Sequence, residues 1–438
     1  MSRWHATAAL SRALLVGAVG IGAAVLAGEP VLVVLVAPLV VCGALGLANR
    51  PARIPRLVTR LDHAWLHEGQ GTTSRVLLSD AEDVEHVTRI AAGAPYVALH
   101  PAHGRLGRFL AAGEPGEDGA AEGLEIEISP RRWGRRLLGE ERIGLTTRWA
   151  GYLWGPVPVD GHEMRVLPSR APFDSRAEAP QPVGLVGAHR SRRVGSGTEF
   201  SGIRPFQAGD RLRRIHWRVS VRTDRLHVTT ARAEEDSGVL LIVDALADHG
   251  ASQGVDGAAS SLDLTVRAAA AIAEHHVRRG DRVALLVVNA QGEQVSPGTG
   301  ARHLRVLLGT LAGVRPGHPR DVEIERLRLR VGAGTVVLVL SPMLSGAIGT
   351  ATATLVRRGL PTLVVDTLPP EAAPGVADGA DPLLSDLAWR MRRIEREQVL
   401  VALAALGCPV VAWRGPGTLD DVLHRLARRA QLPQVRAR

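Results

Sequence analysis

Lysine is absent from this 438-residue chain, so all 53 of its basic side chains are arginine. Against 44 acidic residues they leave a formal charge of +9, which ordinarily points to nucleic acid or an anionic membrane surface. An all-arginine complement beside abundant Ala, Gly and Val instead carries the coding bias of a GC-rich bacterial genome. Aromatic residues make up only 3% of the chain, too few to interleave with arginine as base-stacking platforms, which argues against a nucleic-acid partner. Cysteine is scarce too. Cys42 and Cys408 are too few and too far apart for a disulfide framework, so a reducing compartment is expected. No set of Cys and His has zinc-ligand spacing; His275 and His276 are helix neighbours whose side chains diverge by about 100°. A nucleophile elbow, a P-loop and a phosphate-cradling glycine run are also missing, and no cofactor is expected.

What is present begins with two charge-free runs, Ala13 to Gly28 and Val31 to Ala48, separated by Glu29-Pro30. Each is near the lower end of the roughly 17–25 residues that span a bilayer, and a snorkelling Arg12 extends the first. A cleaved secretory signal fits poorly, because the second run follows at once. Arg3 and Arg12 precede the pair, and Arg50, Arg53, Arg56 and Arg60 follow it. Basic residues on both outer flanks predict a hairpin with two spans in the cell membrane, both ends and everything after Arg50 being cytoplasmic.

With 45% hydrophobic residues, the remainder is long enough for further domains with cores of their own. From Arg60 to Leu167, short alternating stretches broken by Gly and Pro predict a small antiparallel β-domain. Its strands are clearest at Leu124–Ile128 and weaker at Arg75–Leu78, Ile143–Trp149 and Met164–Leu167. The Gly- and Glu-rich run Ala111–Gly123 reads as its longest loop. Arg131, Arg132, Arg135 and Arg136 beside Trp133 read as a solvated basic loop, with anionic headgroups as the alternative surroundings. Ala171–Gly187, rich in Pro, Ala and charge, reads as a connector.

After Ser237 strands and helices alternate. The predicted strands are Val239–Val243, Val283–Val288, Val336–Leu340, Leu363–Val365 and Val410–Trp413. Between and after them come a helix from the capping box of Ser260 and Asp263 to Gly280, one marked by Leu304, Leu307, Leu308 and Leu311, Ala351–Arg358, an arginine-rich helix Asp381–Leu406, and Leu419–Arg429. This order implies a parallel sheet covered on both faces, an α/β doubly wound arrangement. The expected domains are therefore a hairpin over 1–50, a β-domain over 51–170, a linker with a charged segment over 171–237, and an α/β domain over 238–438.

In such sheets a ligand sits beyond the carboxyl ends of the strands, which here offer Asp244, Asn289, Ser341, Asp366 and Arg414. This organisation resembles a von Willebrand factor A-like, Rossmann-type domain, whose first strand ends in an Asp-x-Ser-x-Ser loop holding a divalent cation. A carboxylate and two hydroxyls from that loop, with oxygen ligands from its neighbours, suit magnesium. Here the loop reads Asp244-Ala245-Leu246-Ala247-Asp248, with both serines missing, and the third strand ends in Ser341-Pro342. Asp244 and Asp248, with Thr299 or Asp366, are only weak metal candidates, and a metal-free, degenerate domain is expected.

The most distinctive stretch lies just before that domain, at Gly197–Leu226. It crowds Glu199, Arg204, Asp210, Arg214, His216, Trp217, Arg218 and Arg222 together, which core burial alone does not require. The string Gly197-x-Glu199-Phe200, Gly202-Ile203-Arg204-Pro205-Phe206, Gly209-Asp210, Arg214-Ile215-His216-Trp217 and Ser220-x-Arg222-Thr223 resembles the signature of the bacterial family called domain of unknown function 58. Phe206, His216 and Val221 depart from the residues common there, and the metal loop is degraded. The order of hairpin, β-domain, signature and von Willebrand A-like domain is similar as well. The resemblance implies a membrane-anchored, non-catalytic protein-interaction or assembly factor, with a MoxR-type AAA+ ATPase and other membrane proteins as partners.

From the residues themselves, Glu199 and Asp210 are expected to pair with Arg204, Arg214, Arg218 or Arg222, bidentate bonds that hold a loop in one geometry. Trp217 is expected to anchor the segment on the α/β domain by apolar burial. Two uses follow: a staple between domains, or a docking surface formed by these residues with Phe200 and Gly209. The rival readings are a metal-dependent, adhesion-type ligand-binding module, a ligand-sensing or nucleotide-binding module at the strand ends, and a hydrolase using Ser220, His216 and Asp210. Ser220 and His216 lie four apart, as on a helix, but the flanking Gly, Pro and β-branched residues predict loop and strand.

Overall fold

The computed structural model describes residues 3–110, 123–159, 161–168, 190–207, 212, 215–234, 238–318, 335–373, 381–415, 417–418 and 422; the side chains of 190–201 and 230–234 are not among those described. The chain divides into two compact units, Met1–Leu167 and Pro168–Arg438. All but Gly123 of the predicted loop 111–123, the connector at 171–187 and most of the predicted helix 419–429 lie outside the described residues.

The first unit opens with helices α1 (Ala8–Ala27) and α2 (Pro30–Ala48), both long and apolar enough to cross a membrane. Thr7 starts α1 by accepting a hydrogen bond from Leu10 N, and Gly28 ends it in the left-handed conformation at φ 67°. Pro30 then sits at the first turn of α2, where its missing N–H does no harm. Small residues let the two helices approach. A Cβ at Gly17 would lie 2.9 Å from Val40 Cγ2, and one at Gly43 2.9 Å from Leu14 Cδ2. Leu15, Val19, Val25, Leu26, Val34 and Leu35 point outward, exposed.

Three sheets follow. The first runs in the order His5–Ala6, Tyr152–Val159, Glu141–Thr147, Val84–Ala91, Arg105–Phe109, all antiparallel. The second, also antiparallel, runs Arg56–Leu61, Thr72–Ser79, Ile126–Pro130, Val97–His100. In the third, Glu163–Leu167 pairs antiparallel with Gly134–Leu137 but parallel with Trp65–His67, a departure from the purely antiparallel expectation. Alternation at Leu124, Ile126 and Ile128 is real, and all three side chains are fully buried.

The arginine cluster near Trp133 is not a solvated loop. Trp133 is buried, Arg135 pairs with Glu163 across the strands, and the guanidinium carbons of Arg132 and Arg136 lie 5.1 and 5.0 Å from the Tyr96 ring centroid. Arg89 is wholly buried. Its guanidinium grips both oxygens of Glu141 on the first sheet and donates to Ser74 O at 2.8 Å and Leu124 O at 2.7 Å, groups of the second sheet and of the turn leading into it.

In the second unit, the strand Arg190–Pro205 pairs antiparallel with His227–Glu234, and helix α3 (Trp217–Thr223) lies between them in sequence. The α/β sheet runs Gln294–Gly298, Arg282–Val288, Gly238–Asp244, Val336–Ser341, Thr362–Asp366, Val410–Ala412. All its pairs are parallel except the edge strand Gln294–Gly298, which the sequence reading missed. The helices are α4 (Ser261–Arg278), α5 (Gly300–Gly313), α6 (Gly346–Arg357) and α7 (Pro382–Ala405). The capping box of Ser260 and Asp263 forms as expected. On one face Ile242, Val288, Val339 and Val364 meet Ile348 and Leu355 of α6 and Leu403 of α7. Alternate residues of the same strands, among them Leu241, Val243, Leu285 and Leu338, are also fully buried, so both faces are covered.

Candidate functional site

Two places concentrate the polar residues singled out by the sequence. The first is the carboxyl edge of the parallel sheet. Ser341 Oγ donates to Asp244 Oδ2 at 2.6 Å, and Leu246 N donates to Asp244 Oδ1 at 3.1 Å. Burial, the dominant cause, pushes the Asp244 carboxyl above its ordinary pKa; the Ser341 bond opposes it. Asp248 accepts from Leu262 N at the start of α4, so it works as a helix-start acceptor. Asn289 accepts from Gln291 N and Gly292 N and shapes its own turn, and Arg414 is exposed.

Next to them lies a residue that sequence reasoning overlooked. Arg396 of α7 reaches Asp366 through Nη2 and donates from Nε to Pro342 O at 2.8 Å. A fixed cation thus closes the edge between the third and fourth parallel strands. The signal was present: Trp389, Arg396 and Leu403 recur every seven residues on α7, which puts Arg396 on the same inward face as two buried apolar side chains.

The divalent cation implied by the resemblance does not fit these residues. Both oxygens of Asp244 are taken by protein donors, Leu246 fills a serine position with a buried isobutyl group, and Asp248 points its carboxylate at a backbone N–H. Among the described residues no group of three His, Cys, Asp or Glu could hold a metal ion. Thr299 precedes α5 and makes no side-chain cap there.

The second place is the signature segment. Gly202, Ile203, Arg204 and Pro205 lie in the last turn of strand pairing, opposite Thr230, Thr229, Val228 and His227. The backbone then folds back: Phe206 N donates to Leu226 O, and His216 N donates to His227 O, both at 2.8 Å. Contrary to the expected loop and strand, residues from Trp217 form a helical turn, capped by His216 Nδ1, which accepts from Val219 N. Ser220 is the pin. Its buried hydroxyl accepts from His227 N at 2.9 Å and donates to His216 O at 3.0 Å. The ring of His216 serves the helix cap and not the Ser220 hydroxyl, so the pair carries local structure.

Trp217 does not act as a buried anchor. It is 65% exposed, Val221 is 80% exposed, and Leu212 and Leu226 are also open to solvent. A helical turn has two sides, and Ser220 already occupies the inner one, so Trp217 and Val221, four apart, share the outer one. Arg218 and Arg222 are exposed beside them, and Arg204 Nη1 donates to Pro205 O. The predicted acidic partners cannot be placed: Gly209, Asp210 and Arg214 lie outside the described residues, as do the side chains of Glu199 and Phe200.

Uncharacterized proteins of Mycobacterium bovis and Mycobacterium tuberculosis are 27% identical to this chain over 271 residues, 56% of its length and 84% of theirs. The stretch from Gly202 in the signature strand, through α3 and the carboxyl-edge carboxylates Asp244 and Asp366, is also the part that matches a recognised family: residues 202–374 are similar to the family described as Protein of unknown function DUF58.

Proposed function

We propose that this chain is a membrane-anchored, non-catalytic protein-interaction or assembly factor, with α3 of the signature segment as its docking surface. The observation that carries this reading is the exposure of Trp217 and Val221 on a turn that Ser220 holds in one conformation. Large apolar groups held rigidly in water lose little entropy on binding, and a Trp flanked by arginines has the composition of an interaction hot spot. The partner class implied by the family resemblance is a MoxR-type AAA+ ATPase. Following the docking segment in the chain, the α/β region acts as a von Willebrand A-like domain that recognises its partner without a cation, its carboxyl edge closed by Ser341 and Arg396.

Anchoring is the role of α1 and α2. Their 20 and 19 residues reach about 30 Å, the thickness of a bilayer's hydrocarbon core. The β-unit is joined to them without a linker: Thr7 N donates to Gly151 O at 3.0 Å, and Gly46 approaches Gly151 so closely that a Cβ on Gly151 would lie 3.0 Å from Gly46 O. Trp149, exposed in the neighbouring turn, then stands at the level of the cytoplasmic headgroups, a common place for an indole.

Co-purification of the full chain with a MoxR-type AAA+ ATPase tests the reading. Trp217→Ala and Arg222→Ala are expected to lose the partner while keeping the melting temperature. Unchanged recovery with both substitutions would refute the docking role.

A further inference from the structure

A different surface, beyond both the docking turn and the family match, carries a second interaction. Helix α7 turns Trp389, Arg396 and Leu403 inward: Trp389 and Leu403 are buried, the Trp389 ring lies 5.6 Å from that of His249, and Arg396 holds Asp366. These three are seven residues apart. If they occupy position f of a heptad, positions a and d fall at Leu384, Leu387, Met391, Ile394, Gln398 and Val401, on the diametrically opposite face. All six are exposed. Alternating spacings of three and four over 18 residues give a continuous apolar seam, exposed at every position among the described residues and interrupted only by Gln398.

We propose that this seam is the interface of a homodimer, in which α7 packs against α7 of a second copy in parallel. The charges beside the seam select that occupant. In a parallel pair, position g of one helix faces position e of the next heptad on the other, which sets Arg390 against Glu395 of the second copy, twice by symmetry. Arg390 Nη2 already holds Asp386 at 2.8 Å on its own helix, which orients the guanidinium and leaves its remaining N–H groups for Glu395. Gln398 selects the direction. Parallel pairing sets the two Gln398 amides against each other, where each has a hydrogen-bond partner. Antiparallel pairing would bury Gln398 against Leu387 without one. Because the f positions carry the body of each unit, the two bodies lie on the outer sides of the pair and leave the seam free to close.

The experiment uses the full chain in its own membranes, with two differently tagged copies. Cys42→Ala removes the exposed native thiol; Cys408 is buried and stays. Leu387→Cys is expected to form a disulfide between copies on mild oxidation, since parallel d positions face each other, and the extracted protein is expected to have the mass of a dimer. Arg390→Glu is expected to weaken association about tenfold, and Arg390→Glu with Glu395→Arg to restore it. Leu387→Glu with Ile394→Glu, both at exposed positions where folding is undisturbed, is expected to give a monomer with an unchanged melting temperature. A wild-type monomer, cross-linking indifferent to the charge exchange, or Leu387→Cys joined to a different protein would each overturn the homodimer, and none of these outcomes bears on the partner recovered through Trp217.

Discussion

Arg89 and Arg222 are the same residue type in one chain, and their surroundings are opposite. Arg89 lies in the β-unit with no exposed surface, and every donor direction is spent on Glu141, Ser74 and Leu124. Arg222 stands in solvent at the end of α3, where it adds little beyond a favourable charge near a helix C-terminus. The arginine that joins two layers is therefore the one in an unremarkable strand, while Arg218 and Arg222 of the arginine-crowded segment face outward. A charged cluster in a sequence says nothing by itself about burial. What separates a staple from a surface is whether the fold delivers enough acceptors to replace water.

The sharpest way to break the comparison is to remove Arg89. Arg89→Leu leaves Glu141 buried and unpaired and is expected to destabilise the β-unit by about 3–5 kcal/mol in denaturant unfolding. Adding Glu141→Leu to it should recover much of the loss. Failure of the single substitution to destabilise would mean that the guanidinium is not the sheet-to-sheet tie.

Arg396 is the intermediate case, with its side chain 12% exposed and its partner Asp366 at 15%. Arg396→Met keeps the stem and removes the head, and a loss of about 1–3 kcal/mol is expected, read as a lower midpoint in urea.

Two single groups, half-buried His275 and buried Asp244, give smaller, pH-dependent effects of opposite sign. Burial, reinforced by the neighbouring His276 and Arg279 charges, lowers the His275 pKa to about 4, so its neutral form is favoured in the folded chain. The unfolded imidazole titrates near about 6.5, so this contribution is complete above that value and is lost as pH falls toward 4. His275→Gln should flatten the melting-temperature profile in that window. Asp244 runs the other way: its raised pKa means that stability falls as pH rises from the ordinary carboxylate range through the folded value. Asp244→Asn should gain on the wild type over that rise.

At the bottom of the series, Arg222→Ala and Trp217→Ala should change stability by no more than about 0.5 kcal/mol, as expected of exposed positions, while changing partner recovery. A large stability loss from Trp217→Ala would move this residue from the surface class to the staple class.

Local patterns carried much of the fold. Glu29-Pro30 divides the helical hairpin, Ser260 with Asp263 starts α4, Gly280 lies just past its end at φ 87°, and the apolar runs from Val239 to Val410 became the parallel strands. These signals are legible because caps, turns and buried runs depend on neighbours a few residues away. The parallel pairing of Glu163–Leu167 with Trp65–His67 had no such signal, since it joins segments about a hundred residues apart. Ser220 and His216 were correctly spaced for a helical turn, but local propensity pointed to loop and strand. The bond from His227 N to the Ser220 hydroxyl is what the sequence could not display.

By its residues alone, the chain already determined two apolar helices, an alternating α/β order, a first parallel strand ending in Asp244-Ala245-Leu246-Ala247-Asp248 and a segment rich in arginine. These depend on composition and on spacings within one turn or one strand. Tertiary structure decided which arginine is buried, which carboxylate is closed off and which faces of α3 and α7 remain open. Burial is a property of the whole contact set: Arg89 needs Glu141 from 52 positions away, and Arg396 needs Asp366 from 30. No spacing along the chain encodes that water has been replaced.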